Sequence, residues 1–215
     1  MISKDFKKRR DFLLRKIEDN SIVILFSGLE KSRNNDVNYK FRQSSNFFYL
    51  TGINNPSMLL IITKTSNRHS TTLVCDRPND IDKIWHGQLP SKSSYKNQFE
   101  IQNVLYFDEL KSLELNDAKN IYFEFADENR LNEFISNLNL SQPQSRYLRN
   151  NTSRSTKIDL SNLIFDMRRI KSKSEVSLIR HAAKISAKAH INIMKSCKSG
   201  LKEYEVEADF IKHCM

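Results

Sequence analysis

Apolar residues follow two different spacings along the first part of the chain. Between Lys4 and Glu18 they recur mostly at the helical spacing of three and four residues, which predicts an amphipathic helix that lies on a core. Ser21 to Gly28 instead carries a continuous apolar run rich in β-branched residues, SIVILFSG. This run is too short for a core helix and is typical of a strand buried on both faces.

Further short apolar runs predict more strands, and a helical spacing returns after them between Asp127 and Asn137. The predicted strands are Asn46–Thr51, Met58–Thr63, Thr71–Cys75, Asn103–Phe107 and Asn120–Phe125. The connection at Ser66–Ser70 is as short as a hairpin turn, whereas parallel neighbours need helical crossovers. The pattern therefore predicts an α/β fold with a mixed β-sheet flanked by helices.

A polar stretch from Leu140 to Thr156 separates this region from a helical one. A short connecting helix is predicted from Asp159 to Met167. Ser172 and Glu175 form a capping box before a second helix, Gly200 marks that helix's end, and a third begins near Lys202. Two helices cannot bury their apolar stripes alone, so we expect the second domain to be cut short, with the boundary between residues 1–157 and 158–215.

Composition and charge bear on whether the protein binds nucleic acid. The chain has 215 residues, 39% of them hydrophobic, which is enough for a sizeable core, and a formal net charge of +10. Much of the basic excess lies in the first helix and between Arg146 and Lys173, with few aromatic residues among the basic ones. We therefore expect no nucleic-acid partner, although a basic nucleic-acid binder stays open as an alternative.

The same composition predicts a cytoplasmic protein without a membrane partner. The longest strongly apolar runs, Ile22–Phe26 and Met58–Ile62, fall far short of the roughly 18 residues that a membrane helix requires. The N-terminus has neither the apolar stretch of a secretory signal nor the acid-poor composition of a presequence. Three widely spaced cysteines, Cys75, Cys197 and Cys214, fit a reducing compartment.

Residues able to do chemistry do not converge in the sequence. The five histidines have no HxxxH or HxH spacing, and His181 and His190 would lie on opposite faces of one helix. No GxGxxG loop, P-loop or GxSxG elbow is present. The residues themselves assign no catalytic and no metal-binding side chain.

Several segments nevertheless resemble one known family. FRQSSNFFYLTGINNP at Phe41–Pro56 and DRPNDIDKIWHGQLP at Asp76–Pro90 are similar to signature segments of the N-terminal domain of Xaa-Pro aminopeptidases, also called aminopeptidase P. MRRIKSKSEVSLIRHAAKISAKAH at Met167–His190 resembles the linker and first helix of that family's catalytic pita-bread domain. RRDFLLRKI at Arg9–Ile17 also fits, so the similar segments span nearly the whole chain in the family's order.

The resemblance implies a fold like the N-terminal domain of creatinase and aminopeptidase P, followed by the helical start of a truncated pita-bread domain. It also implies a homo-oligomeric peptidase that acts on proline-containing peptides, releases N-terminal residues preceding proline, and uses two Mn²⁺ ions to activate a hydroxide. The family's ligands, two Asp, one His and two Glu, would lie beyond Met215. We therefore expect no metal ion to bind this chain and assign no catalytic residue to it.

Two of the resembling segments differ in what their residues predict. In the first, Arg42 and Gln43 offer donors, the aromatic residues after them enter the predicted strand, and Gly52 permits a turn, so a packing role is expected. In the second, Trp85 stands in the mostly polar sequence IWHGQLP, which is typical of an exposed loop. The resemblance implies that Trp85 is a substrate-binding residue that acts in trans, toward a neighbouring subunit's active site.

Three hypotheses follow for function. The chain is the recognition and assembly portion of such a peptidase, inactive alone because the metal ligands are missing, through truncation, gene decay or a split gene. Alternatively, it is a non-enzymatic interaction module that supports a separately encoded catalytic half. The third hypothesis is the basic nucleic-acid binder, which a steep loss of affinity with salt would reveal.

Overall fold

The computed structural model describes residues 3–79, 84, 87, 89–112, 118–141 and 155–215. These residues fall into two compact units, one that ends at Met167 and one that runs from Arg168 to Met215. The boundary predicted between residues 157 and 158 stays a prediction.

The first unit is built on a six-stranded sheet with the order β6-β5-β4-β1-β7-β8, and a separate two-stranded hairpin consists of β2 and β3. The strands are β1 Ser21–Phe26, β2 Ser32–Asn34, β3 Val37–Asn38, β4 Leu59–Lys64, β5 His69–Cys75, β6 Asn103–Tyr106, β7 Asn120–Phe123 and β8 Thr156–Asp159. The helices are α1 Ser3–Lys16, α2 Ser45–Thr51, α3 Lys92–Phe99, α4 Glu128–Ser141, α5 Ser161–Arg169, α6 Lys173–Ser196 and α7 Glu203–Cys214. Two 3₁₀ turns, Phe107–Ser112 and Phe125–Asp127, follow β6 and β7.

The sheet is mixed, as the sequence predicts. Strand β4 is antiparallel to both of its neighbours, β1 and β5, while the remaining pairs are parallel. The predicted hairpin joins β4 to β5, and its turn is closed by a hydrogen bond from the Thr65 N–H to the Arg68 carbonyl at 2.8 Å. An α/β fold with a mixed sheet flanked by helices is therefore confirmed.

Strand β1 lies inside the sheet, and all six of its residues are buried. Alternate side chains enter two separate cores: Val23 and Leu25 pack on the side of α1, α2, α3 and α5, and Ile22 and Ile24 pack on the side of α4. Helices thus cover both faces, which explains why the β1 sequence is continuously apolar and does not alternate.

The segment Asn46–Thr51 is a helix, and its prediction as a strand is wrong. The Ser44 hydroxyl accepts from the Phe47 N–H, and Gly52 ends the helix in the left-handed conformation (φ +74°) with its N–H bonded to the Phe48 carbonyl. Phe47 and Leu50, three residues apart, share the buried face. Two caps and helical spacing outweigh the preference of aromatic residues for strands. A Cβ at Gly52 would also lie 2.3 Å from the Phe6 ring.

Three elements lack an apolar signal and are missing from the sequence-based prediction. The hairpin of β2 and β3 is fully exposed, and strand β8 at the edge of the sheet has no buried residue. Helix α3 buries only Tyr95 and begins at Ser91, whose side chain accepts from the Ser94 N–H. Periodicity cannot reveal elements that bury so little apolar surface.

The second unit contains the predicted capping box and two predicted helices. The Ser172 hydroxyl accepts from the Glu175 N–H at 3.3 Å, and the Glu175 carboxylate accepts from the Ser172 N–H at 2.8 Å. Helix α6 follows, and α7 begins at Glu203. Ala189 is the buried residue of this unit, whereas Ile170, Met194 and Tyr204 are each at least 65% exposed.

Arg10 joins three helices of the first unit from a buried position. Its guanidinium, 2% exposed, donates to the carbonyls of Leu50, Phe99 and Glu100 at 2.8–2.9 Å. Burial lowers its pKa to about 10, against the opposing influence of Asp11 and Glu100, so the group stays protonated at neutral pH. Helix α1 is thereby tied to the ends of α2 and α3.

Replacing Arg10 should destabilise the first unit strongly. In Arg10→Met the three carbonyls lose their donor, and we expect the free energy of unfolding to fall by about 3 kcal/mol. Arg15→Met on the same helix is the matched control, because Arg15 is exposed, and it should change stability by less than about 0.5 kcal/mol. Denaturant unfolding followed by circular dichroism measures both. Equal losses in the two variants would contradict this role of Arg10.

Candidate functional site at the carboxyl edge of the sheet

One edge of the sheet collects the ends of most of its strands. Strands β1, β5, β6, β7 and β8 run in one direction and β4 in the other. Their carboxyl ends therefore meet at one edge, which we call the carboxyl edge, together with the start of β4. In open α/β sheets ligands bind outside this edge. The segment Asp76–Ser91, which contains the motif singled out from the sequence at Asp76–Pro90, leaves β5 at this edge and leads to α3.

Trp85, the one site residue named from the sequence, lies outside the described residues. Its role in trans stays a prediction. Both ends of the segment that carries it are described, and so are the side chains that hold them.

Arg77 links the start of this segment to the turn after β6. Its guanidinium donates to Asp108 Oδ2 from Nε at 3.1 Å and from Nη2 at 2.9 Å, and Nη2 lies 3.4 Å from Glu109 Oε1. Asp108 and Glu109 belong to the 3₁₀ turn that follows β6. This fork contact fixes Arg77 in orientation as well as in distance.

Lys92 links the far end of the segment to the same carboxylate. Its ammonium group forms an ion pair with Glu109 Oε2, and that oxygen also accepts from the Tyr106 N–H at 2.9 Å. The Lys92 ammonium lies 4.0 Å and the Arg77 guanidinium carbon 4.4 Å from the centroid of the Tyr106 ring. Arg77, Lys92, Tyr106, Asp108 and Glu109 thus form one unit, which we call the Glu109 cluster.

The electrostatics of the cluster favour the charged forms of Glu109 and Arg77. The hydrogen bond from Lys92, followed by that from the Tyr106 N–H, lowers the pKa of the Glu109 carboxyl. The hydrogen bond to Asp108 raises the pKa of Arg77. Both side chains are partly exposed, 34% for Glu109 and 56% for Arg77, so salt screens these interactions.

Cys75 and Tyr95 lie next to these charged groups in sequence but are buried. The Cys75 thiol is 3.8 Å from the Leu105 carbonyl, and burial, followed by the nearby Asp76 carboxylate, raises its pKa to about 11. Burial also raises the pKa of Tyr95, with a smaller contribution from Cys75. Both groups are neutral at physiological pH, so Cys75 has the properties of a core residue and not of a nucleophile.

Gln43 organises the loop after β1 at the same edge. Its carbonyl oxygen accepts from the Gly28 N–H at 2.6 Å and the Ser44 N–H at 2.9 Å, and its amide donates to the carbonyls of Ile53 and Asn55 at 3.1 and 2.8 Å. A Cβ at Gly28 would lie 2.8 Å from the Arg42 carbonyl oxygen, so the close approach depends on glycine. The structural role expected for Gln43 is consistent with these four bonds.

A pocket of about 470 Å³ also opens at the carboxyl edge, between β1, β4, the turn after β6 and α4. Its apolar lining consists of Phe26, Leu29, Met58, Phe107, Leu110 and Phe134. Its Arg130 is held by the Ser27 carbonyl at 3.0 Å and Asp127 at 3.1 Å, with its guanidinium carbon 4.4 Å from the centroid of the Phe26 ring. The pocket therefore combines an apolar lining with one guanidinium that is already bonded within the chain.

The described residues contain no group of three His, Cys, Asp or Glu side chains that could hold a metal ion. His190 packs edge-on against Phe210, with Nδ1 2.8 Å from the Ser186 carbonyl, and His213 lies 3.7 Å from Asp209. The metal ions that the resemblance implies therefore do not fit the described side chains. Within the same described part of the chain, no helix is both long enough and apolar enough to span a bilayer.

Comparison with known proteins identifies the family. Residues 6–122, more than half of the chain, match the family described as aminopeptidase P, N-terminal domain. The chain belongs to this family, and the matched residues run from the first turns of α1 to β7, including the whole segment between β5 and α3.

The relatives are peptidases that are longer than this chain. The Xaa-Pro aminopeptidase of Escherichia coli K12 is 27% identical over 95% of this chain and 47% of its own length. The human Xaa-Pro dipeptidase is 28% identical over 92% of this chain and 39% of its own length. The chain therefore spans about half the length of the bacterial relative, and less of the human one.

Solved structures show the same fold. Aminopeptidase P from E. coli in its low-pH form superposes with a TM-score of 0.88 at 24% identity and covers 99% of this chain and 49% of the other. Proline aminopeptidase P II from Yersinia pestis gives a TM-score of 0.86 at 27% identity over 99% of this chain and 50% of the other. The described sheet and helices thus share the fold of about half of each of these chains.

Sequence reasoning singled out the segment at this edge but missed the Glu109 cluster. Arg77 stands inside the motif DRP, yet its partners Asp108 and Glu109 lie 31 and 32 residues further on, in FDEL, which has no distinctive spacing. The signal that could have found them is the parallel register of β5 and β6, which sets Cys75 opposite Tyr106.

The buried thiol predicts a pH dependence of stability. The folded chain keeps the Cys75 proton up to a pKa of about 11, whereas the unfolded chain releases it near 9. The folded state therefore binds more protons between these values, and the free energy of unfolding should fall as the pH rises from about 9 to about 11.

Urea unfolding of the native chain and of Cys75→Ala across this range measures the effect. The variant should be less stable at pH 8 because of the cavity, but its stability should decline less steeply with pH. Parallel declines in the two proteins would mean that Cys75 does not titrate with the shifted pKa.

Proposed function

We propose that this chain is the N-terminal recognition and assembly portion of a manganese-dependent Xaa-Pro aminopeptidase, which releases N-terminal residues preceding proline. The observation that carries this proposal is the match of residues 6–122 to the aminopeptidase P N-terminal domain. The superposition of 99% of the chain on about half of a related enzyme supports it. Homo-oligomeric assembly and a cytoplasmic location belong to the same proposal.

In this proposal the hydrolytic chemistry belongs to residues that are not among these 215. The described side chains offer no cluster of metal ligands, so no step of hydrolysis is assigned to them. What they supply is an α/β platform, a pocket at the carboxyl edge, and the side chains that pair with Arg77 and Lys92 at the two ends of the segment between β5 and α3.

The purified 215-residue polypeptide should neither cleave Xaa-Pro peptides nor bind Mn²⁺ stoichiometrically. Release of the N-terminal residue from a peptide with proline in the second position measures the first, and calorimetric titration with Mn²⁺ measures the second. A full-length Xaa-Pro aminopeptidase serves as the positive control. Turnover that a chelator abolishes and Mn²⁺ restores would contradict this assignment.

Trp85 is proposed to act in trans, toward the active site of a neighbouring subunit. Its neighbour Ile84 is 80% exposed, and the residues around it, Lys83, His86 and Gln88, are polar. An aromatic side chain in polar surroundings is well suited to anchor an interface.

Trp85→Ala should weaken self-association and leave stability almost unchanged. An exposed anchor costs little on truncation, whereas a core tryptophan would cost about 3 to 5 kcal/mol. Sedimentation velocity and thermal unfolding measure the two quantities, and Tyr39→Ala, which removes another exposed aromatic side chain (59% exposed), is the control. A midpoint lowered by many degrees with an unchanged oligomer would place Trp85 in the core.

A second candidate is an interaction module for a separately encoded catalytic half. The exposed apolar side chains of the second unit, among them Ile170 and Met194 at 78% and 72%, favour it, because a partner could cover them. Turnover that appears only after a separately produced catalytic half is added would support this candidate.

A further inference from the structure

We propose that Glu109 is a positioning residue whose carboxylate fixes both ends of the segment between β5 and α3. Arg77 stands at the start of that segment, and Lys92 stands just after its end as the first residue of α3. The inference rests on the proposed function in one respect, namely that this segment carries the Trp85 that acts in trans.

The argument begins with the convergence of two distant cations on one side chain. Arg77 reaches Oε1 of Glu109 at 3.4 Å, and Lys92 pairs with Oε2. Each carboxylate oxygen thus holds one end of the segment. Glu109 links the two ends through one side chain, while Asp108 holds the Arg77 end as well, at 2.9 and 3.1 Å.

Glu109 is itself held by the sheet. Its Oε2 accepts from the Tyr106 N–H at 2.9 Å, and Tyr106 is the last residue of β6, paired in register with Cys75 at the end of β5. The carboxylate therefore has a fixed place relative to both strands. Glu109 belongs to the 3₁₀ turn directly after β6, so this hydrogen bond to the end of the strand restricts where its carboxylate can lie.

The Tyr106 ring adds a second constraint on the same cations. Both charged groups lie within 4.4 Å of its centroid, which is close enough for favourable cation–π contacts. The hydrogen bonds of Arg77 to Asp108 further restrict its rotamer. Removal of the Glu109 charge should loosen the Lys92 end most, and the Arg77 end less because Asp108 still accepts from Arg77, and it should leave the strands intact.

The structure also offers a matched control pair. Lys157 lies 2.8 Å from the Glu128 carboxylate at the opposite side of the sheet, next to β7 and β8. The pair contains the same two residue types as Lys92 and Glu109 but holds no end of the segment. Glu128→Gln therefore removes a comparable charge without the proposed positioning effect.

Glu109→Gln is the test variant, because glutamine keeps the shape and an oxygen that can accept from the Tyr106 N–H but loses the negative charge. Trp85 is the single tryptophan of the chain, so its fluorescence, excited where tyrosine does not absorb, reports on the segment alone. Trypsin gives an independent measure. Within the segment it can cut after Lys83, whereas Arg77 is followed by proline and resists cleavage.

We expect Glu109→Gln to increase acrylamide quenching of Trp85 and to accelerate cleavage after Lys83 roughly threefold to tenfold, with an unchanged unfolding midpoint. Mass spectrometry follows that one cut among the others. Glu128→Gln should behave as the native chain does in both measurements. Lys92→Met, which leaves Glu109 bound to Tyr106, should give a smaller effect in the same direction. It is the test variant if Glu109→Gln fails to fold.

The outcomes separate this inference from the proposed function. The positioning role is wrong if Trp85 quenching and the rate of cleavage after Lys83 are the same in Glu109→Gln as in the native chain. The same holds for Lys92→Met where it replaces Glu109→Gln. This conclusion does not depend on the effect of Trp85→Ala on assembly. If both quantities increase only in the variants of the cluster, the role is supported. That support holds even when Trp85→Ala leaves self-association unchanged, a result that would overturn only the proposed function of Trp85.

Discussion

The burial of strand β1 between two layers of helices is the constraint on which the rest of the first unit depends. All six of its residues pair with β4 on one side, the first three pair with β7 on the other, and alternate side chains supply the two cores. Each fully buried aliphatic side chain of this kind contributes on the order of 1.5 to 3 kcal/mol. The strand also delivers Ser27 and Gly28 to the carboxyl edge, where they hold Arg130 and Gln43. The core and the candidate site therefore share one element.

Much of this architecture could be predicted from the sequence because most of its strands bury apolar residues, and apolar runs are the strongest signal that a sequence carries. Strands β1, β4, β5, β6 and β7 bury apolar residues and are all predicted within a few residues of their ends. The prediction fails at α2, where caps at Ser44 and Gly52 outweigh the aromatic composition between them. It also fails at β8, whose partly exposed sequence TKID buries no residue and joins the sheet chiefly through backbone pairing with β7. Backbone pairing carries no side-chain pattern that a sequence can display.

Part of the candidate site could likewise be predicted from the sequence, and part could not. Its segment was found through motifs that resemble a family, whereas the side chains that hold it, Glu109 above all, come from a turn with ordinary composition. Arg10 is a further example: in the sequence it is one basic residue among several on an amphipathic helix, and only the tertiary structure shows that it is buried and bonded to three carbonyls. Long-range partners of charged groups depend on the register of strands, which is fixed only when the whole sheet forms.

The reversal of β4 within the otherwise parallel sheet has a consequence for the order in which the chain folds. The hairpin of β4 and β5 connects neighbours in sequence, and β1 can join it as an antiparallel strand after the chain has passed Lys64. The other side of β1 pairs with β7, where Ser21 meets Asn120 at a separation of 99 residues. Closing so large a loop is slow. During synthesis β1 therefore has one unpaired edge until β7 has left the ribosome. An apolar strand with an unpaired edge is prone to aggregation and to binding by chaperones.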